Sequence, residues 1–220
     1  MMSDKRAYRH YCPLARALDL LGERWTLLII RDLLSGPRRY KDLQQSLRGI
    51  GTNLLARRLR ELQRDAVVEQ VAQPPPRAVR SYQLTERGRA LEGAITALAK
   101  WGLPLLEIPR AQDQWQPQWN PVALRARFNS READGISATY AFEIGGYPHC
   151  AVIREGALHI YEGILPDPDL LIRASSDDFL RVIEGELNFK EAMQQGMIEV
   201  EGAGEALLQM ARLFTVRDAP

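Results

Sequence analysis

Cysteine is scarce in this 220-residue chain: only Cys12 and Cys150 are present. Two cysteines cannot build the disulfide framework of a small secreted scaffold. No apolar run is long enough to cross a bilayer. The N-terminal stretch MMSDKRAYRHYC lacks the apolar core of a signal peptide. A soluble protein of a reducing cytoplasm is therefore expected, with no membrane span. His149 and His159 are separated by strand residues and lack a metal-ligand cluster, so no metal site is expected. Walker, GxSxG and strand-turn-helix GxGxxG motifs are missing. Glu184 and Glu186 have no nucleophile or base beside them and read as solvated helix-end charge. Neither an enzyme nor a cofactor is expected, and internal repeats and low-complexity segments are absent.

What is present is a core and a divided charge. Hydrophobic residues make up 45% of the chain, ample for packing. The net charge is only +1, yet residues 1–110 hold 20 Lys and Arg against 11 Asp and Glu, net +9, while residues 111–220 hold 9 against 17, net −8. Two domains fit this division, 1–110 and 121–220, and only the first suits an anionic polymer. The polar, Pro-interrupted stretch from Arg110 to Pro121 is the predicted boundary, although Trp115 and Trp119 should pack on something.

The basic half reads as short helices followed by a hairpin. Cys12-Pro13 starts a helix with Pro13 at its first position, and Gly22 ends it. A second helix is predicted from Glu23 to Leu34, apolar nearly all round and so buried. A third runs from Tyr40 to Leu47. Thr52 is predicted to cap a fourth, in which Leu55, Leu59, Leu62 and Ala66 share one face while Asn53, Arg57, Arg60 and Arg64 point away. Val67–Ala72 and Val79–Leu84 read as paired strands with Pro74–Arg77 at their tip. Thr85 caps a fifth helix expected to reach Leu106. The acidic half opens with strand signals: residues 136–144 alternate, and Cys150–Arg154, Leu158–Glu162, Leu170–Ala174 and Met197–Glu201 follow. Helices are expected from Ser176, over Phe189–Gln195 and over Glu205–Phe214. The fold class is α+β, and helices ending in a basic two-stranded wing form a shape that reads DNA.

The first half resembles the HxlR family of winged helix-turn-helix regulators over residues 8–106. The matching residues are Cys12-Pro13, Leu20-Leu21-Gly22, Arg24-Trp25-Thr26, Arg31-Asp32-Leu33, Gly36 to Tyr40, Asp42-Leu43, Arg58 to Leu62 and Tyr82 to Gly88. It departs at Val68-Glu69-Gln70, where that family more often places a basic residue. The second half resembles a sterol-carrier-protein type 2 domain, through Ala151 to Gly156, Pro166-Asp167-Pro168-Asp169, Ser175 to Phe179, Glu184 to Leu187 and Gly196 to Gly202. The first resemblance implies DNA binding; a homodimer is expected because one short recognition helix reads too few base pairs for genomic selectivity, with the fifth helix and the N-terminal segment at the dimer contact. The second implies an apolar tunnel for lipids or acyl chains.

Candidate residues follow. Thr52, Asn53, Arg57 and Arg60 on the fourth helix, with Arg77 and Arg80 on the wing, form the DNA-facing set; arginine and asparagine can pair bidentately with base edges. Arg38, Arg39 and Lys41, at the start of the third helix, suit phosphates. The competing reading of all these is a solvated basic face. Tyr140, Phe142 and Ile144, with Phe179, Ile183, Met193, Met197 and Phe214, could line a ligand tunnel or simply fill a core. Cys12, near Arg9, His10 and Arg16, is in surroundings that favour thiolate, as in HxlR-type regulators that sense oxidants at the matching position; a structural thiol at a dimer contact is the other reading. A lipid carrier and a thiol-based redox regulator are thus the alternatives to a ligand-controlled DNA-binding regulator.

Overall fold

A computed structural model describes residues 7–72, 80–106, 115–183 and 185–214. It divides into two compact units, residues 1–95 and 96–220.

In the first unit, helix α1 spans Pro13–Leu21, with Cys12 at its N-cap and Gly22 closing it through a bond to the Leu18 carbonyl. Helix α2 is Thr26–Leu34 and not the longer segment expected from Glu23. The reason is Trp25, whose φ of 80° is left-handed and cannot sit inside a right-handed helix. Nor is α2 buried all round: Ile29, Ile30 and Leu33 are in the core, but Leu28 is exposed. Strand β1 (Arg38–Arg39), helix α3 (Tyr40–Ser46) and helix α4 (Thr52–Arg64) follow. Strands β2 (Val68–Ala72) and β3 (Arg80–Leu84) form an antiparallel hairpin in the register Val68↔Leu84 to Ala72↔Arg80. β1 adds to the far edge of β3, a third strand that the sequence pattern did not disclose. Two residues are too few to carry a periodicity. The wing tip, Pro74–Arg77, lies outside the described residues.

Thr85 caps the next helix as expected, its hydroxyl accepting the Gly88 amide. The single helix predicted to Leu106 is instead three pieces: α5 (Glu86–Arg89), α6 (Glu92–Gly102) and a 3-10 turn over Leu103–Leu106. Pro104 lacks the N–H needed to continue an α-helix, so the last piece tightens. Gly88 is required by contact: a Cβ there would lie 2.1 Å from the Val67 carbonyl oxygen.

The second unit is a five-stranded sheet in the order β6-β5-β4-β7-β8 with helices on one face. A helix that the sequence reading missed, α7 (Asn120–Arg127), precedes the sheet. Strands β4 (Ala138–Ile144), β5 (Tyr147–Arg154) and β6 (Ala157–Glu162) form an antiparallel meander. Its first turn, Gly145-Gly146, has both residues at positive φ, as a two-residue hairpin of this hand demands. Strand β7 (Leu170–Ala174) returns parallel to β4, and β8 (Ile198–Gly202) pairs antiparallel with β7. Helices α8 (Ser176–Ile183) and α9 (Phe189–Gln194) lie between β7 and β8, and α10 (Gly204–Leu213) closes the unit.

Period-two alternation sorts the sheet into two faces. Tyr140, Phe142 and Ile144 share one face with their cross-strand neighbours Ala151, Leu170 and Ile172, and with Phe179, Val182, Leu213 and Phe214 they form the main core. Ala141, Cys150, Val152 and Leu171 make a smaller cluster on the other face, with Leu165 against it. Cys150 is therefore a packing residue, its sulfur accepting the Leu165 amide at 3.2 Å.

Candidate nucleic-acid interface and apolar cavity

The helix pair α3–α4 is built so that one face of α4 must point outward. Leu55, Leu59 and Leu62 are buried, while Asn53, Arg57, Arg60 and Arg64 are exposed on the other side. The N-cap is Gly51, one residue earlier than the sequence suggested. Thr52 is instead the first helical residue and ties α4 to α3: its hydroxyl accepts Gln44 Nε2 at 2.9 Å, and its carbonyl accepts the Tyr40 hydroxyl at 2.7 Å. Gly51 has no side chain to cap the first turn of α4, whose amides can meet solvent or an anion.

Arg57, itself exposed, reaches the buried Glu61 at 3.4 Å along the helix. Arg60 has no ion-pair partner among the described residues. Arg58, by contrast, is buried, and its guanidinium bonds both Glu61 and Glu23. It clamps α4 to the turn before α2. Neighbouring arginines in sequence thus have opposite fates because 100° of helical rotation separates them.

Arg38 and Arg39 form β1, opposite Tyr82 and Ser81; Arg39 is also the N-cap of α3, as expected at the start of that helix, its amide donating to Asp42 at 3.1 Å. Both are half-buried, and the Arg38 guanidinium lies 3.5 Å from the Ser35 carbonyl. Lys41, in the first turn of α3, and Arg80, at the described start of β3, are exposed. Arg77 lies outside the described residues. Cys12 is exposed at the N-cap of α1.

In the second unit a cavity of about 360 Å³ opens between the helices and the sheet, within the size range of small-ligand sites. Of the predicted tunnel residues, Phe142, Phe179, Ile183, Met193 and Phe214 line it. Tyr140, Ile144 and Met197 do not. Tyr140 is fully buried, its hydroxyl bonded to Gln209 at 2.7 Å. Burial, with the Asp169 carboxylate adding to it, pushes this phenol well above its usual range, so it stays a proton donor.

Four of the cavity residues that sequence reasoning missed are on α7. Asn120, Ala123, Leu124 and Arg127 all line the space. Their spacing of i, i+3, i+4 and i+7 is one helical stripe. The stripe was hidden because its two ends are polar, and an apolar search passes over it. Asn120 is buried, and its side-chain amide lies 2.9 Å from His149 Nε2. His149 Nδ1 lies 3.3 Å from the Tyr147 carbonyl, which can only accept. The ring proton is therefore on Nδ1, and Asn120 donates to Nε2. His149 is fully buried and stacked on Phe142 at 5.2 Å. Desolvation pushes its pKa down to about 4, so it is neutral near pH 7.

Comparison with known proteins joins these two descriptions. Residues 20–108 match the model of the HxlR-like helix-turn-helix family. A transcriptional regulator of Synechocystis is 37% identical over 100 residues, covering 44% of this chain and 73% of its own. The chain belongs to the HxlR-like helix-turn-helix regulators. Another relative of this HxlR-type chain, the regulator YodB of Bacillus subtilis, is 37% identical over 41% of the chain and 81% of its own length. The solved reduced form of YodB aligns with 34% identity over 46% of this chain and all of its own, at a TM-score of 0.39. Residues 123–215 match the SCP-2 sterol transfer family. The HxlR-type protein is thus a transcriptional regulator with a sterol-carrier-like α+β domain after its DNA-reading fold. Among the described residues no helix is long and apolar enough to cross a membrane.

Proposed function

We propose that this regulator docks α4 in the major groove of double-stranded operator DNA as a cytoplasmic homodimer, and that an apolar ligand in the sterol-carrier-like unit sets its DNA affinity. The observation that carries the reading is the exposed row Asn53, Arg57 and Arg60 on α4, backed by a buried leucine face. Lys41 and the open amides of the first turn of α4 serve as phosphate contacts, and Arg80 and Arg77 extend the contact along the wing.

One short helix reads too few base pairs for genomic selectivity, which favours a dimer on two half-sites. Large apolar groups on the exposed surface of the first unit support this: Tyr11 and Leu14 at α1. Burying such groups in a partner contributes roughly 25 cal/mol per Å². The 1–110 and 121–220 division serves as the functional one, DNA and dimer contacts in the first and ligand in the second.

The test is fluorescence anisotropy on operator DNA with Arg57→Ala and Arg60→Ala. Each should weaken binding by about 1–3 kcal/mol with unchanged circular dichroism. Unchanged affinity in the double variant would remove α4 from the groove. Sedimentation of the free protein should show twice the chain mass.

A second reading rests on Cys12, exposed at a helix N-terminus. A thiol there can respond to oxidants. Cys12→Ser should abolish an oxidant response of DNA binding while sparing affinity in the reduced state; an unchanged response would exclude the thiol.

A further inference from the structure

We propose that Arg24 is a backbone-phosphate contact of this regulator, held on the indole of Trp25 beside the turn that leads into α4. This rests on the docking of α4 in the major groove and deepens it.

Arg24 and Trp25 belong neither to the outward row on α4 nor to the wing, yet their backbone is unusual. Trp25 takes a φ of 80°, a conformation that disfavours a bulky side chain. Such a residue persists only where its surroundings over-determine it. Here the indole Cη2 lies 3.6 Å from the point where a β-carbon on Gly49 would stand. Gly49 sits in the turn between α3 and α4, just before the N-cap Gly51, and has a φ of 93° itself. On the other side of Arg24, Glu23 bonds Arg58 of α4. Both neighbours of Arg24 are thus fixed, one to α4 and one to the turn before it.

Arg24 itself is exposed. Its guanidinium carbon stands over the Trp25 ring, 5.4 Å from the centre, within the range of a cation–π contact. Among the described residues no carboxylate pairs with Arg24, whereas Arg57 is answered by Glu61, and Arg58 by Glu61 and Glu23. A guanidinium against a ring keeps its fork of N–H donors, and the contact reduces the freedom that the side chain loses on binding. Arg24 is a positioned cation whose charge is not spent inside the fold.

Geometry selects its acceptor. An α-helix about 10–12 Å across fills a major groove about 12 Å wide. Side chains on the inserted helix meet base edges. A group carried on a separate turn beside the start of that helix meets the groove wall, which is sugar and phosphate. Phosphate oxygens accept paired hydrogen bonds from the guanidinium fork. A contact of this kind fixes the register of α4 on the duplex without reading sequence.

Fluorescence anisotropy of the full-length protein tests this across a range of salt concentrations, on a duplex recovered by selection from a random library and on a scrambled duplex. Arg24→Ala should weaken both complexes by a similar factor, roughly tenfold at about 0.1 M salt, and lower the salt slope by about one. Arg24→Lys should restore the slope, and neither variant should change the thermal melt. Arg57→Ala should instead weaken the selected complex far more than the scrambled one. Arg24→Ala should also cost less in a Trp25→Leu background than alone, because the ring no longer positions the guanidinium. Additive losses would overturn the role of the indole, and the Arg24 variants decide the phosphate contact even where Trp25→Leu does not fold. Unchanged affinity and slope for Arg24→Ala, with Arg57→Ala still impaired, would overturn the contact and leave α4 in the groove. Loss on the selected duplex alone would overturn the phosphate role and assign Arg24 to base reading. Loss on both duplexes for Arg24→Ala, with the Arg57→Ala, Arg60→Ala double variant unimpaired, would keep Arg24 on the backbone and remove α4 from the groove.

Discussion

Arg58 shows how much one buried side chain can organise. Its guanidinium joins Glu61 on α4 to Glu23 before α2, and 6% of the side chain is exposed. Removing it leaves Glu61 nearly buried, with only the exposed Arg57 to answer it. Arg58→Met should cost about 3 kcal/mol in urea unfolding, whereas Arg60→Ala, on the exposed face, should cost less than about 0.5 kcal/mol. Equal effects would mean that the clamp is not structural.

His149 permits a prediction about pH at the same scale. Its pKa is pushed down to about 4 by burial, against roughly 6.5 in the unfolded chain. A lowered folded value means that the unfolded state binds the proton more readily. The contribution to stability is therefore complete above about pH 6.5 and lost as pH falls toward 4. At pH 5 the loss should be about 2 kcal/mol, from 1.36 kcal/mol per unit. Urea melts of the parent and of His149→Gln between pH 7 and pH 5 check this; the parent should lose more stability than the variant, and parallel curves would show that His149 does not titrate this way.

At the scale of elements, the junction of α4, the wing and α5 is the most constrained. Ala66 takes a positive φ of 53° to turn the chain out of α4. The Thr85 hydroxyl then donates to the Ala66 carbonyl at 2.7 Å and accepts the Gly88 amide at 3.1 Å. Thr85→Ala removes a helix cap and a tie between segments 19 residues apart, and should cost about 1–2 kcal/mol. Gly88→Ala should cost more, because its new methyl meets backbone and not a side chain that could move. Thermal melts rank the two; a harmless Gly88→Ala would mean that β2 and α5 can separate.

Element boundaries were legible where a local signal sets them. Pro13 and Gly22 frame α1, and Thr85 caps α5, because these residues act through their own backbone or hydroxyl. Boundaries failed where a distant contact decides. Thr52 resembles a cap, yet its hydroxyl is engaged by Gln44 of α3 and Gly51 takes the cap position. The start of α2 moved to Thr26 because Trp25 adopts a left-handed conformation, with the Arg24 guanidinium 5.4 Å from its ring.

For the whole molecule, linkage between ligand and DNA is the testable property. A ligand that binds the folded chain alone stabilises it by roughly 2.7 kcal/mol at a hundredfold excess over Kd. It changes DNA affinity only through a difference in its affinity for the DNA-competent and incompetent states. Dodecanoate should therefore raise the melting temperature and shift operator Kd in one direction, and DNA should shift dodecanoate Kd by the same factor. A thermal shift with no change in operator binding would leave the second unit a carrier joined to a regulator.

The first four helices, the hairpin, the alternating strands and the division of charge were determined by the sequence itself, because periodicity and turn residues act within a few positions. So was the outward row on α4, since helical geometry fixes which residues oppose Leu55 and Leu59. Only the tertiary structure decided which arginine is buried, that Arg38 and Arg39 add a strand to the wing, and that Tyr140 packs a core while Phe142, two residues on, faces a cavity. It alone brought Arg127 and Lys190, 63 positions apart, to the same lining. These outcomes depend on which distant surface each side chain meets, and no local pattern along the chain encodes that meeting.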